Sequence, residues 1–170
     1  MKRVLSLILV LGLASTANAV PIPYIYINGS SAGPEYDVVM GNTISIEIYR
    51  LDDDETYDCL SFEDNSLYTL ANPTVTTNAG EYGSYYGPFT YPTYYPGVVL
   101  YQVSRAGSGI SPGTMFLVDF TAGSTTGTVD VNVYDENFTL WDSVTINIVP
   151  EPMTITLLAL GGLAVLRKRK

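Results

Sequence analysis

From Ile44 to Ile48 the chain alternates: Ile44, Ile46 and Ile48 are apolar, while Ser45 and Glu47 between them are polar. The same period of two returns at Val129, Val131 and Val133, and at Val144, Ile146 and Ile148. A strand points successive side chains to opposite faces, so this pattern predicts strands with one buried face. Pro23 to Ile27, Val98 to Val103 and Met115 to Phe120 read as further strands, and residues 58–63 as a weaker one. Turn residues separate them: Asn28-Gly29-Ser30, Gly41-Asn42, Asn72-Pro73, Gly107-Ser108-Gly109, Pro112-Gly113 and the stretch from Gly123 to Gly127. No helical period of useful length occurs between residues 20 and 149. Seven to nine short strands with frequent turns predict an all-β domain, an antiparallel β-sandwich.

The two ends follow a different rule. Lys2 and Arg3 precede the apolar run Val4 to Leu13, and Ala17-Asn18-Ala19 forms a small-residue cleavage site with Val20 as the first mature residue. Residues 1–19 therefore read as a secretory signal helix that is removed on export. At the other end Pro150-Glu151-Pro152 is followed by the apolar run Met153 to Leu166 and then by Arg167, Lys168, Arg169 and Lys170. As a helix that run measures ~21 Å, short against a hydrocarbon core of ~30 Å. The four terminal cations can reach the far interface and make the short span tolerable. The positive-inside rule puts them in the cytoplasm and the domain outside. The chain thus divides into residues 1–19, a sandwich over 20–149 and a tail over 150–170.

A Pro-Glu-Pro triplet, a short apolar helix containing Gly161-Gly162 and a terminal basic cluster, in that order, resemble the PEP-CTERM sorting signal. The resemblance implies an exosortase-type processing enzyme as a partner and a Gram-negative source. It also implies transient anchoring in the inner membrane, then release to the cell surface or extracellular matrix. Its signal residues would be Pro150, Glu151, Pro152, Arg167, Lys168, Arg169 and Lys170, with Ala17, Ala19 and Val20 at the signal-peptide cleavage point.

Charge sharpens this division. The whole chain carries 17 acids and 8 bases, a net charge of −9, but residues 20–149 hold 16 acids and only two bases, Arg50 and Arg105, a balance of −14. So acidic a domain is a poor partner for nucleic acid, whose phosphates need clustered cations, and for anionic membrane surfaces. There is no histidine and only one cysteine, Cys59. That excludes His-dependent nucleophile pairs, His-based zinc sites and an intramolecular disulfide framework. The composition points to binding or structure rather than to an enzyme.

Two segments stand out as candidate chemistry. Asp52, Asp53, Asp54 and Glu55, with Asp58 close behind, pack hard oxygen ligands of the kind Ca2+ takes. The spacing does not match an EF-hand, and the other reading is a solvated, self-repelling loop. Asp135-Glu136 with Asp142 is a weaker second set. Crowding of this kind suits a cation or solvation better than the tuned carboxylate pair of a glycosidase. The second segment, residues 82–95, holds seven aromatics: Tyr82, Tyr85, Tyr86, Phe89, Tyr91, Tyr94 and Tyr95. Gly83, Gly87, Pro88 and Pro92 interrupt it, so it reads as a long loop or irregular edge. A tyrosine offers a flat apolar face and a polar tip, suited to sugar stacking or protein contact. The alternative is that several rings fold back to cap the sandwich. Trp141 reads as a core or core-edge residue, and Cys59 as a buried small hydrophobe.

The glycine turn Gly41-Asn42-Thr43 launching an alternating strand, the later Ser111 to Phe120 and the closing Val144 to Val149 give the sandwich a layout. It resembles cohesin-like and carbohydrate-binding-module-like sandwiches of exported bacterial proteins, with a jelly roll as the related form. Together these features lead to the expectation of an exported, non-catalytic surface or matrix protein associating with exopolysaccharide, by way of Ca2+ or of the tyrosines. The alternatives are a cohesin-like protein-interaction module or a purely structural matrix component.

Overall fold

A computed structural model describes residues 24–91 and 95–152. Eleven strands form two sheets. They are β1 (Ile25–Ile27), β2 (Ser30–Ser31), β3 (Glu35–Val39), β4 (Thr43–Arg50), β5 (Thr56–Phe62), β6 (Tyr68–Val75), β7 (Ser84–Tyr91), β8 (Tyr95–Arg105), β9 (Gly113–Ala122), β10 (Gly127–Tyr134) and β11 (Leu140–Val149). One sheet runs β2-β1-β4-β9-β6 and the other β3-β11-β10-β5-β8-β7. The fold is an all-β sandwich, as the alternation predicts. The pairing departs from purely antiparallel at one place, where β3 lies parallel to β11 with Tyr36 opposite Ile146.

The alternating residues face one another across the sandwich. Ile25, Ile46, Ile48, Val118 and Phe120 from the first sheet meet Leu60, Phe62, Val103, Val131, Val133 and Ile146 from the second, all fully buried. Aromatic rings fill the wider part: Phe120 stacks on Tyr68 at 5.0 Å between centroids, and Tyr101 tilts against Phe116 at 5.5 Å. Burial of this kind stabilises by roughly 25 cal/mol per Å2 of apolar surface removed from water.

Two elements differ from the sequence reading, and one settles an alternative it left open. Asn72-Pro73 is no turn but a bulge inside β6, where the register shifts between Ala71 and Thr74 and Asn72 takes φ 52°. An edge strand can carry a proline because its outer N–H groups have no ladder to join. Residues 84–91 take the irregular-edge alternative: they form the edge strand β7, with register shifts between Tyr86 and Phe89 and between Thr90 and Tyr91. The expected weak strand at 58–63 is a full central strand, β5, paired on both sides. The first turn is as expected: Asn28 and Gly29 both take positive φ, 51° and 76°, in a tight hairpin between β1 and β2.

The signal helix, the cleavage residues Ala17, Ala19 and Val20, the apolar tail helix and the basic residues Arg167, Lys168, Arg169 and Lys170 lie outside the described residues. Among the described residues no helix is long and apolar enough to cross a membrane. Pro150, Glu151 and Pro152 follow β11 directly and are exposed.

Candidate interaction surface

Strand β5 builds both halves of the site, because its pleat sends Asp58 inward and Tyr57 and Cys59 outward. Inward, Asp58 meets the only two cations among the described residues. Arg50 ends β4, Arg105 ends β8, and both are buried, at 3% and 1% exposure. Asp52 bridges them. Its carboxylate accepts from Arg50 Nη2 at 2.8 Å and Nε at 3.1 Å, and from Arg105 Nη1 at 2.6 Å. Arg50 Nη1 also reaches Asp58 Oδ1 at 3.2 Å, and Arg105 Nη2 donates to the Asp52 and Ser111 carbonyls. The Arg50 guanidinium lies 4.5 Å from the ring centre of Trp141 and 5.4 Å from that of Tyr24, so Trp141 closes the core edge as a cation–π partner.

Burial pushes the Asp58 carboxyl up to about 6, outweighing the pull of Arg50 and Arg105. Its Oδ2 is buried without a hydrogen-bond partner, as is Arg105 Nε. Asp52 goes the other way: burial opposes its charge, but the hydrogen bonds from Arg50 and Arg105 hold it below the usual carboxylate value.

This network divides the acidic run at residues 52–58. Asp52 and Asp58 are committed to arginines, Glu55 accepts from the Gly107 amide at 2.9 Å, and Asp53 and Asp54 stay exposed on the loop. Among the described residues no three Asp, Glu or Cys side chains converge on one point. In Asp135-Glu136 with Asp142, the carboxylates are likewise separated. Asp142 accepts from the Tyr24 and Ile25 amides at 2.9 Å each, pinning β1, while Asp135 organises its own turn.

The tyrosine segment is divided between faces rather than gathered into one platform. Tyr85 turns inward, its ring 5.6 Å from Phe116 and 6.3 Å from Tyr101, which is the capping alternative realised at one position. Tyr86, its neighbour, points outward at 61% exposure. Tyr82 precedes β7, is exposed, and lies so close over Gly107 that a Cβ there would sit 2.5 Å from its Cδ2. Phe89 is half-buried opposite Leu100, and Tyr95 is exposed at the start of β8. The backbone of Tyr91 pairs with Tyr95, while Tyr94 lies outside the described residues.

Outward, the register of the six-stranded sheet lines up rows across its face. Tyr134, Cys59, Gln102 and Tyr86 stand side by side on β10, β5, β8 and β7. Asn132, Ser61, Leu100 and Phe89 form the next row, and Tyr57 stands beyond Cys59. Over this face leans the β10–β11 hairpin. The Asp135 carboxylate accepts from the Asn137 and Thr139 amides at 2.8 Å each, and Phe138 N–H donates to the Asp135 carbonyl at 3.0 Å. These backbone bonds, that from Thr139 first, hold the Asp135 carboxyl below its usual value. They also hold Phe138 at φ 60°, a left-handed conformation that a bulky residue adopts only under constraint. Phe138 is 65% exposed, Tyr57 59% and Leu140 51%. Between hairpin and strands lies a groove of about 300 Å3 lined by Tyr57, Asp58, Cys59, Gln102, Glu136 and Phe138. Cys59 is buried at its floor, and burial raises its thiol above the ordinary value, so the thiol is packing rather than nucleophile.

The sequence reading missed Tyr57 and Phe138 as surface residues of interest. The signal for Tyr57 was its place one residue before a buried Asp-Cys-Leu run. For Phe138 it was the Asp135-x-Asn137 turn, whose Asp reaches the amides two and four residues on.

No family model matches the chain, and no curated protein matches it. Solved structures similar to it include the sixth cohesin of scaffoldin B from Acetivibrio cellulolyticus, in a complex with a dockerin. It is 11% identical with a TM-score of 0.45, covering 74% of this chain and 97% of that one. A cohesin module from a Clostridium perfringens family 33 glycoside hydrolase is 17% identical at TM-score 0.44, covering 75% and 95%. A non-cellulosomal cohesin from the archaeon Archaeoglobus fulgidus is 15% identical at 0.43, covering 69% and 88%. Likenesses of this size do not fix what the chain binds.

Proposed function

We propose that this is an exported, non-catalytic module that contacts another protein at the cell surface through the outer face of its six-stranded sheet. The observation that carries this reading is that face itself: Tyr57 and Phe138 are exposed over a built groove, and Tyr86 and Leu140 are exposed on the same sheet. Exposed aromatics gathered on one face mark contact sites more often than solvent surface. The split tyrosine segment favours a protein over a polysaccharide, because a sugar platform needs several rings on one side and Tyr85, 36% exposed, leans on Phe116 instead. Immobilised protein challenged with the producer's exopolysaccharide and with its surface proteins tests this. Retention of a defined surface protein, lost in the double variant Tyr57→Ser/Phe138→Ser, is the expected result. Retention of polysaccharide that the same variant leaves unchanged overturns it.

The sorting role is part of the same proposal. The ordered signal at residues 1–19 and the PEP-CTERM-like tail at 150–170 support export, tail anchoring and later release by an exosortase-type enzyme. The exposure of Pro150 to Pro152 immediately after β11 leaves the triplet within reach of a processing enzyme. Intact mass of the native surface-associated protein should lack both ends. A mass that keeps Arg167 to Lys170 contradicts the sorting role.

A further inference from the structure

We infer that the groove beside Phe138 receives an arginine or lysine side chain from the protein partner. This rests on the protein-contact reading above and names the chemistry of what that face takes. Three observations converge. The groove is walled by the rings of Tyr57 and Phe138, and aromatic faces attract cations. Glu136 lines the same groove, is exposed, and stands on a surface where no exposed cation among the described residues can neutralise it, since Arg50 and Arg105 are both buried. The hairpin is built in advance. Asp135 fixes Phe138 in its left-handed backbone before any partner arrives, so ordering the aromatic wall costs little on binding.

An aliphatic stem ending in a cation fits this lining better than an acidic or purely apolar segment. Its stem packs on Cys59 and the rings, and its charge meets Glu136. A guanidinium adds a planar face for stacking. An acidic segment would be repelled by the domain's uniform negative charge. A purely apolar segment would leave Glu136 without a counter-charge.

The test uses the full chain and two fluorescein-labelled tripeptides, Leu-Arg-Leu and its citrulline counterpart, which keeps the shape and loses the charge. Fluorescence polarisation should give the arginine peptide about tenfold tighter binding, the size of one cation–π contact with a carboxylate. Glu136→Gln and Phe138→Ser should each erase that preference, and Tyr26→Ser, on the other sheet, should not. Phe138→Gly relieves the backbone constraint and guards against misfolding. Equal binding of both peptides that Phe138→Gly abolishes overturns the cationic partner and leaves the protein-contact face standing. Arginine-peptide binding that all three variants leave intact overturns the groove as the cation's site. If Tyr57→Ser/Phe138→Ser also leaves retention of the surface protein intact, the reading of the face falls with it.

Discussion

The two sides of β5 use charge in opposite ways. Inward, Arg50, Arg105, Asp52 and Asp58 neutralise one another at the end of the sandwich, closed off by Trp141 and Tyr24. Outward, one residue to either side of Asp58, Tyr57 and Cys59 meet no cation among the described residues, and the nearby Glu136 is exposed. The opposite outer face of the molecule resembles the closed side. There Glu47 is 9% exposed and accepts from the Gly29 amide at 2.8 Å and the Thr114 hydroxyl at 2.7 Å, while Tyr26 stacks on Tyr49 at 4.3 Å. A surface whose polar groups are paired within the chain has little left to offer a partner. The face around Phe138 is one where aromatic area and charge remain unspent.

The largest way to break this comparison is to remove a buried cation. Arg105→Ala should cost about 3 kcal/mol in urea unfolding, because the Asp52 carboxylate and the Asp52 and Ser111 carbonyls would lose a charged donor. A cost below about 1 kcal/mol would mean that the network is dispensable.

Titration sharpens the same side. The folded Asp58 carboxyl, near 6, lies above its unfolded value, so the folded state binds this proton more tightly. Its contribution to stability is full below the unfolded value near 3.8 and is lost as pH rises through about 6, on the order of 3 kcal/mol in total. Asp52, held low, has the opposite sign: its contribution is present above the unfolded value and lost as pH falls through its lowered one. Between pH 4 and 7 the Asp58 effect therefore dominates this network. Asp58→Asn should flatten the pH profile of unfolding across that window. An unchanged slope would contradict the placement of Asp58.

The outward side should respond differently. Phe138→Gly should raise stability by about 1 kcal/mol, since glycine takes the left-handed conformation without a Cβ clash, while weakening partner retention. Tyr57→Ser should move stability by no more than about 0.5 kcal/mol and still reduce retention. Loss of fold in either variant would show that the face supports the core rather than a partner.

The sandwich was legible because its central strands alternate strictly, with Ile44, Ile46 and Ile48 on one face and polar residues on the other. β6 was not, because most of its residues are at least partly exposed, and a bulge at Asn72-Pro73 carries the usual marks of a turn. The acidic run was legible only in part. Four acids adjacent in sequence look like a cation site, but Arg105 lies 53 residues from Asp52 and reaches it only through the β5–β8 pairing. The tyrosines show the reverse relation: Tyr85 and Tyr86 are neighbours in sequence and on opposite sides of a strand. Periodicity reports which face a residue takes. It does not report which distant charge shares that face.

Hydroxyl-radical footprinting of the native protein, free in solution and in place on producing cells, tests the central claim most directly. Tyr57, Tyr86 and Phe138 should be labelled in the free protein and protected on the cell, while Tyr26 and Tyr49 keep their free-state labelling. Equal labelling of Tyr57 and Phe138 in the two states, or protection confined to Tyr26 and Tyr49, would contradict it.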